Sequence, residues 1–307
     1  MPSAKPSRGI ALVSVLWLLA LLTLMAATLS VNSRVEGRLT YNLDRAIRGQ
    51  ALAEGAVRLA MLNLVQPQEQ QPWLADGGFH ELEMGGIAMR LALQDERGKI
   101  DINAATPELL TGLFLAAELD EDSLPLVDAI LDWRDEDDLV RLHGAEDADY
   151  EAAGLDHGAK DAPFESLDEL ELVLGMTPKV IAAIRPALTV YSRRPFVHPL
   201  YAPRLVLLAL PGTDEGMVDT YIETRRQHQQ SGLPPPEFPL KGRLANPQGG
   251  LGLYYTIHTE SFTGSDQPFR LSALIRRQGR QNDRPYRVMR FERGQWEQEA
   301  HPQRGQP

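Results

Sequence analysis

The chain has 307 residues, of which 43% are hydrophobic and 24% are charged, and this is the composition of a globular protein. Lysine and arginine number 31 against 42 aspartate and glutamate. The net charge of -11 argues against nucleic acid as the main partner, because phosphate binding depends on basic side chains. The absence of cysteine excludes disulfides, thiolate metal sites and cysteine nucleophiles.

A run of uncharged residues lies close to the N-terminus. Residues 10–29 would form a helix about 30 Å long, which matches the hydrocarbon thickness of a bilayer. Lys5 and Arg8 precede the run, so we expect a membrane-spanning helix with a cytoplasmic N-terminus. A buried core helix and a secretory signal cleaved near Ala26 are the alternatives. The length of the apolar run argues against both.

The junction between the basic leader and the apolar run carries a more specific signal. The leader ends in Gly9, and the run begins at Ile10. This junction resembles the class III signal of type IV pilins and type II secretion pseudopilins. The resemblance implies that prepilin peptidase removes residues 1–9 and methylates the new amine of Ile10. Ser14 stands where most pilins carry glutamate, and the minor pseudopilin K family is known to lack that glutamate.

Helical spacing of apolar residues continues beyond the uncharged run. Val35, Leu39 and Leu43 follow one another at intervals of four, and no proline occurs between Ile10 and Pro67. The spacing predicts a single helix over residues 10–65, about 84 Å long. The part beyond residue 29 is amphipathic and therefore needs a surface to pack against. In pilins that surface is a small β-sheet.

Short strands are predicted on both sides of a helical middle. The strand segments are residues 79–84, 87–93, 253–259, 269–275 and 286–291. Predicted helices occupy residues 107–114, 126–131, 167–174, 179–184, 202–210 and 215–226. The expected fold class is α+β, with a pilin-like long N-terminal helix packed on a small antiparallel sheet and a large all-α domain inserted between strands.

This pattern predicts a division of the chain into four parts. They are a leader over residues 1–9, a transmembrane helix over 10–29, a pilin-like α/β domain over 30–98 and 246–307, and an inserted α-helical domain over 99–245.

The middle of the chain is strongly acidic. Between Asp95 and Glu171 there are 24 acidic and 5 basic residues, and the acids are densest over residues 132–138 and 144–150. Carboxylates crowded in loops suit Ca²⁺, which binds six to eight oxygen atoms in flexible geometry. The spacing is not that of an EF-hand loop, and a solvated acidic surface is the alternative interpretation.

The same region strengthens the resemblance to the K pseudopilins. The matching strings are Ile130-Leu131-Asp132-Trp133, Gly144-Ala145-Glu146-Asp147, and residues 163–170, 201–203 and 208–212. That family binds calcium in its α-domain, and the resemblance implies Asp135, Asp137, Glu146, Asp147 and Asp149 as ligands. Only residues 139–143 separate the two acidic clusters, so a loop shorter than usual would alter or remove one site.

The resemblance also implies a function. A minor pseudopilin of this type forms the pseudopilus tip with the I and J pseudopilins, works with the major pseudopilin G, and supports protein export across the outer membrane. The expected location is the inner membrane, with a single span and a periplasmic C-terminal domain. No reaction is expected.

Two other classes of function are alternatives. Leu174-Gly175-Met176-Thr177 and Leu210-Pro211-Gly212 resemble helix-hairpin-helix turns, which would suit a membrane-anchored DNA-binding protein of a competence system. The acidic charge of the region argues against that interpretation, and we expect no nucleic acid partner. An enzyme is disfavoured because the sequence has no nucleophile elbow, P-loop or paired metal-binding histidines.

Overall fold

The computed structural model describes residues 8–67, 70–240, 242–247, 252–264, 267–278 and 284–294. For residues 8–11, 29–35 and 38 it describes the backbone alone. Residues 1–7 of the predicted leader and residues 295–307 of the predicted α/β domain lie outside the described residues.

The first element is one long helix. Helix α1 spans Arg8–Val65, so the predicted cleavage junction between Gly9 and Ile10 lies in its first turn. Its extent agrees with the helix that the apolar spacing predicts over residues 10–65. Over the described part of the chain, no helix is both long enough and apolar enough to span a bilayer.

Five strands form one antiparallel sheet. They are β1 Asp76–Met84, β2 Ile87–Asp95, β5 Tyr254–Ser261, β6 Phe269–Arg277 and β7 Tyr286–Arg293. Their order in the sheet is β1-β2-β5-β6-β7. All five are predicted from the alternation of apolar residues. The hairpin between β1 and β2 turns at Gly85 and Gly86, whose φ angles of 60° and 76° favour glycine.

Helix α1 packs its C-terminal half against one face of this sheet. Small residues of α1 make the contact, and the Cα of Gly49 approaches so closely that an added Cβ would lie 2.9 Å from the Cβ of Phe269. Ser261 donates its hydroxyl hydrogen to the Gly49 carbonyl at 3.0 Å, and Tyr286 donates to the Leu64 carbonyl at 3.0 Å. The helix is therefore fixed along the sheet from its middle to its end.

The chain between β2 and β5 is mostly helical. Its elements are the strands β3 Ile100–Asp101 and β4 Leu188–Thr189 and the helices α2 Pro107–Ala116, α3 Leu126–Arg134, α4 Asp147–Ala152, α5 Pro178–Ile184, α6 Arg204–Leu208 and α7 Glu215–Ser231. The apolar stripe of α2 predicted from the sequence is buried, and Thr106 accepts a hydrogen bond from the Leu109 amide at 3.3 Å as its N-cap.

Two local predictions in this region need correction. The helix predicted over residues 167–174 is a 3-10 helix, Leu167–Leu172, which ends because Val173 takes an extended conformation. The helix predicted over residues 202–210 is shorter, because Pro203 lies before its first turn in an extended conformation. The parallel pair of β3 and β4 has only two residues per strand, too few to leave a periodic signal in the sequence.

A buried ion pair joins the helical region to the sheet. Arg225 of α7 lies 2.8 Å from the carboxylate of Asp76 on β1, and both side chains are buried. The same guanidinium donates to the carbonyls of Ala202 at 2.8 Å and Pro199 at 3.2 Å. The ion pair compensates both charges inside the protein, while Nε of Arg225 is buried without a hydrogen-bond partner among the described residues.

Candidate metal centre

The candidate site is built from three consecutive segments of the helical region. Asp132 lies on the buried face of α3, and Asp135 follows the last residue of that helix. Glu146 is the residue before α4 and is only 8% exposed. After α4 the chain returns with Asp161, whose φ angle of 53° is in the left-handed region.

Asp132 is fully buried and has two partners on one residue. The Arg141 amide donates to its Oδ2 at 3.1 Å, and the Arg141 guanidinium donates to its Oδ1. The same guanidinium nitrogen lies 2.5 Å from Oδ2 of Asp135. Asp132 Oδ2 also occupies the space beside Gly144. A Cβ added at position 144 would lie 1.7 Å from that oxygen. Glycine at position 144 is therefore required by close approach of the carboxylate.

Glu146 is buried beside other carboxylates. Burial raises the pKa of Glu146 from 4.5 to about 7, and the charges of Asp132, Asp161, Asp135 and Asp138 act in the same direction. Burial, with the charges of Asp147, Asp138 and Asp135, likewise raises the pKa of Asp161. The neighbouring carboxylates are therefore close enough to disfavour the ionised forms of Glu146 and Asp161.

Three oxygen atoms of this cluster are buried without a hydrogen-bond partner among the described residues. They belong to three different carboxylates, and they are Oδ1 of Asp135, Oε1 of Glu146 and Oδ1 of Asp161. A buried carboxylate oxygen without a donor is costly unless a cation or water meets it. The donor set is all oxygen, which is the set that Ca²⁺ prefers. The donor chemistry of these residues is therefore compatible with Ca²⁺.

The ligands predicted from the resemblance do not all face this cluster. Asp135 and Glu146 belong to it, and Asp147 lies at its edge, where its carboxylate packs on Gly158. Asp137 is exposed and accepts a hydrogen bond from the Leu139 amide at 3.0 Å. Asp149 accepts from the Glu146 amide at 3.0 Å at the start of α4. Asp137 and Asp149 therefore serve local turns of the backbone.

Sequence reasoning missed three members of the cluster, namely Asp132, Asp138 and Asp161. Asp132 carried a usable signal, since it is an acidic residue within the apolar string Ile130-Leu131-Asp132-Trp133 of a helix. Asp161 carried none, because it reaches the cluster only through the return of the chain after α4.

Aromatic rings close one side of the site. Trp133 lies next to Asp132 in the chain, and its ring centroid is 6.0 Å from that of Tyr150 and 6.1 Å from that of Phe164. The Tyr150 hydroxyl accepts a hydrogen bond from the Leu174 amide at 3.0 Å. This wall lowers the local polarity, which strengthens the electrostatic interactions of the carboxylates.

Within the ranges that the structure describes, no three histidine, aspartate or glutamate side chains converge in the geometry of a ready-made metal site. The position of Arg141 accounts for part of this, since its guanidinium lies between Asp132 and Asp135. Binding of an ion at this place would therefore involve rearrangement of side chains.

The acidic helical region matches a known protein family. Residues 89–193, which contain the whole acidic cluster, match the family model described as type II secretion system (T2SS), protein K. This match confirms the resemblance to the K pseudopilins that the sequence motifs indicate.

Curated relatives carry the same name. The chain is 27% identical over 214 residues to type II secretion system protein K of Aeromonas hydrophila, covering 61% of this chain and 64% of that protein. It is 29% identical over 228 residues to the Klebsiella pneumoniae protein of that name, covering 66% and 69%. A putative protein K of Escherichia coli K12 is 27% identical over 201 residues. The chain thus spans somewhat less than two thirds of the Aeromonas relative's length.

A solved structure has a similar fold. It is a chain from the crystal structure of the GspK-GspI-GspJ complex of the enterotoxigenic E. coli type 2 secretion system. The TM-score is 0.57 at 16% sequence identity, and the match covers 85% of this chain and 100% of that one. The mixed arrangement of helices and antiparallel sheet is therefore shared with that protein.

Proposed function

We propose that this protein is a minor pseudopilin of a type II secretion system, which forms the pseudopilus tip with the I and J pseudopilins and supports protein export across the outer membrane. The observation that carries the proposal is the match of residues 89–193 to the protein K family. The family is a structural part of the secretion machinery and is not known for enzymatic activity, so we propose that this chain catalyses no reaction.

The proposed partners follow from the structural neighbour. That neighbour was crystallised together with I and J proteins, and we propose the corresponding two pseudopilins as direct partners here. The major pseudopilin G and prepilin peptidase complete the proposed set. The net charge of -11 supports a protein partner over nucleic acid.

A pilin-like division of the chain is part of the proposal. The α/β domain would comprise residues 30–98 and 246–307, with an inserted α-helical domain over residues 99–245. Support comes from the chain leaving the sheet at the end of β2 and returning to it at β5, while α1 packs on the sheet. A helical region of this size would not fit between stacked subunits, which favours a terminal position in the assembly.

We also propose anchoring in the inner membrane through residues 10–29. The support is the uninterrupted uncharged run in the sequence, together with the exposure of apolar side chains such as Leu12, Leu16 and Trp17 on α1. In this arrangement the C-terminal domain is periplasmic, Gly9 is the cleavage position, and Ile10 carries the methylated amine.

The acidic cluster is the proposed calcium site. Glu146, Asp161 and Asp135 would supply the buried oxygen atoms that lack donors, with Asp132 and Asp138 adjacent. When bound, the ion supplies positive charge that offsets the repulsion among the carboxylates. The residues of this chain then hold the loop after α3, the start of α4 and the segment after α4 together.

The test is complex formation with the purified I and J proteins, using the full chain in detergent. The expected result is one ternary species in size-exclusion chromatography with multi-angle light scattering. Failure to bind either protein, together with salt-sensitive binding of duplex DNA, would contradict the proposal and favour a DNA-binding protein.

Mass spectrometry of the protein extracted from membranes should show an N-methylated Ile10, whereas an N-terminus at Leu29 would contradict the pilin-type processing.

A further inference from the structure

Arg141 holds an unusual position in the acidic cluster. Its guanidinium contacts both Asp132 and Asp135, and its own amide donates to Asp132 at 3.1 Å. Asp132 is fully buried, whereas the Arg141 side chain is 38% exposed. The arginine therefore enters from the solvent side and covers one edge of the cluster.

The buried carboxylate requires a positive charge. An ionised carboxylate that is removed from water is strongly unfavourable unless it is paired. The other nearby arginine is Arg134, which donates to the carbonyls of Ile102 and Ala105. Among the described residues, the cation that contacts Asp132 is therefore Arg141.

The segment that carries Arg141 is weakly held by apolar packing. Leu139, Val140 and Leu142 are 75%, 57% and 89% exposed. The polar contacts next to them are the hydrogen bonds from the Leu139 amide to Asp137 at 3.0 Å and from the His143 amide to Asp128 at 3.2 Å. Moving this segment outward would therefore uncover little apolar surface.

We propose that Arg141 is an internal counter-cation that competes with a divalent cation for the carboxylates of Asp132 and Asp135. In the metal-free protein the guanidinium bridges these two carboxylates and offsets one of their two negative charges. When an ion binds the cluster, the guanidinium leaves and the segment over residues 139–143 moves toward solvent. This inference rests on the calcium site in the proposed function.

The competition makes a thermodynamic prediction. Removing the guanidinium leaves the carboxylates available to the ion, so it strengthens ion binding. It also leaves Asp132 buried without a cation in the metal-free state, so it weakens the fold. The two effects have opposite signs in the same variant, whereas a purely structural arginine would weaken both the fold and the binding of the ion.

The experiment is isothermal titration of the full chain in detergent with CaCl₂, together with melting temperatures before and after calcium is added. Arg141→Gln is the test variant. Arg185→Gln is the matched control, because Arg185 is also 38% exposed and also pairs with an aspartate, Asp168, outside the cluster. We expect Arg141→Gln to bind calcium about tenfold more tightly than the unsubstituted protein, to melt at a lower temperature without calcium, and to show a larger rise with it. Arg185→Gln should match the unsubstituted protein in affinity.

A second variant covers the case in which Arg141→Gln does not fold. Arg141→Lys keeps a charge but lacks the planar fork that bridges two carboxylates, so a smaller gain in affinity is expected. Binding by a substituted protein alone, with none by the unsubstituted chain, would also support the competition. Equal or weaker binding after substitution would overturn it and make Arg141 a structural partner.

Absence of calcium binding in every variant at millimolar concentration would overturn both this inference and the calcium site. The pseudopilin assignment would then be judged separately, from the complex with I and J formed by the same preparations.

Discussion

Buried charge is handled differently at the junction between the sheet and the helical region and at the acidic cluster. At the junction, Asp76 and Arg225 pair at 2.8 Å. At the end of β2, Asp95 and Arg97 pair at 2.7 Å. At the cluster, one guanidinium serves Asp132 and Asp135, and three carboxylate oxygens are buried without donors among the described residues. At the junction and at the end of β2 each buried carboxylate therefore has a guanidinium of its own, whereas at the cluster the carboxylates outnumber the guanidinium and leave oxygen atoms without donors, which suits an added cation.

The largest expected effect comes from breaking the junction. Arg225→Met leaves Asp76 buried without its cation, which should lower the free energy of unfolding by about 3–5 kcal/mol. Arg226→Met is the control, because Arg226 is the neighbouring exposed residue on α7 and should change stability little. Urea denaturation of both variants measures the difference. Equal stability of the two variants would show that the junction pair is dispensable.

Gly144→Ala tests the close approach beside Asp132. The new Cβ would lie 1.7 Å from Asp132 Oδ2, so the carboxylate must move and lose the hydrogen bond from the Arg141 amide. The expected loss of stability is about 1–3 kcal/mol. Gly242→Ala is the matched control, because no atom of the described residues lies within 4 Å of its added Cβ. A loss no greater than that of the control would refute the close packing.

The pH dependence of stability tests the crowding around Glu146. Its pKa rises from 4.5 in the unfolded chain to about 7 in the folded protein, so the folded state binds more protons in this interval. Without calcium, the contribution of Glu146 to stability should fall as pH rises through that window and then level off. Glu146→Gln should reduce this slope, as followed by melting temperature between about pH 4 and pH 8. An unchanged slope would mean that Glu146 ionises freely.

The smallest expected effect is at a residue implied by the resemblance. Asp137→Asn should leave calcium affinity nearly unchanged, because the Asp137 side chain is exposed and accepts from the Leu139 amide. Asp161→Asn is the comparison. It should weaken calcium binding by about tenfold or more, because it removes the negative charge of a carboxylate whose Oδ1 is buried without a hydrogen-bond donor among the described residues. The reverse ranking in a calcium titration would favour the ligand set predicted from the sequence.

Much of the fold could be read from local patterns. The long helix and the five strands follow from apolar spacing and from the glycine pair at Gly85 and Gly86, which are short-range signals. The pairing of β2 with β5 could not be predicted in register, because about 160 residues lie between them in the chain. The ion pair of Asp76 with Arg225 could not be predicted either, because the two residues are also far apart in the chain.

The candidate site was predictable only in part. The density of acids located the region, and the resemblance implied Asp135 and Glu146, which the structure brings together. Asp161 and Arg141 joined the site through tertiary contacts that no spacing rule describes. Asp149 shows why acid density alone is ambiguous, because an acid at the start of a helix is equally suited to accept a hydrogen bond from a backbone amide.

The most direct test of the central claim, that the acidic cluster holds calcium, is anomalous X-ray scattering from crystals grown with calcium. We predict an anomalous peak about 2.3–2.6 Å from carboxylate oxygens of Glu146 and Asp161, with the Arg141 guanidinium displaced from Asp132. The contradicting result is the absence of a peak there in crystals grown in millimolar calcium, with the Arg141 guanidinium still bridging Asp132 and Asp135.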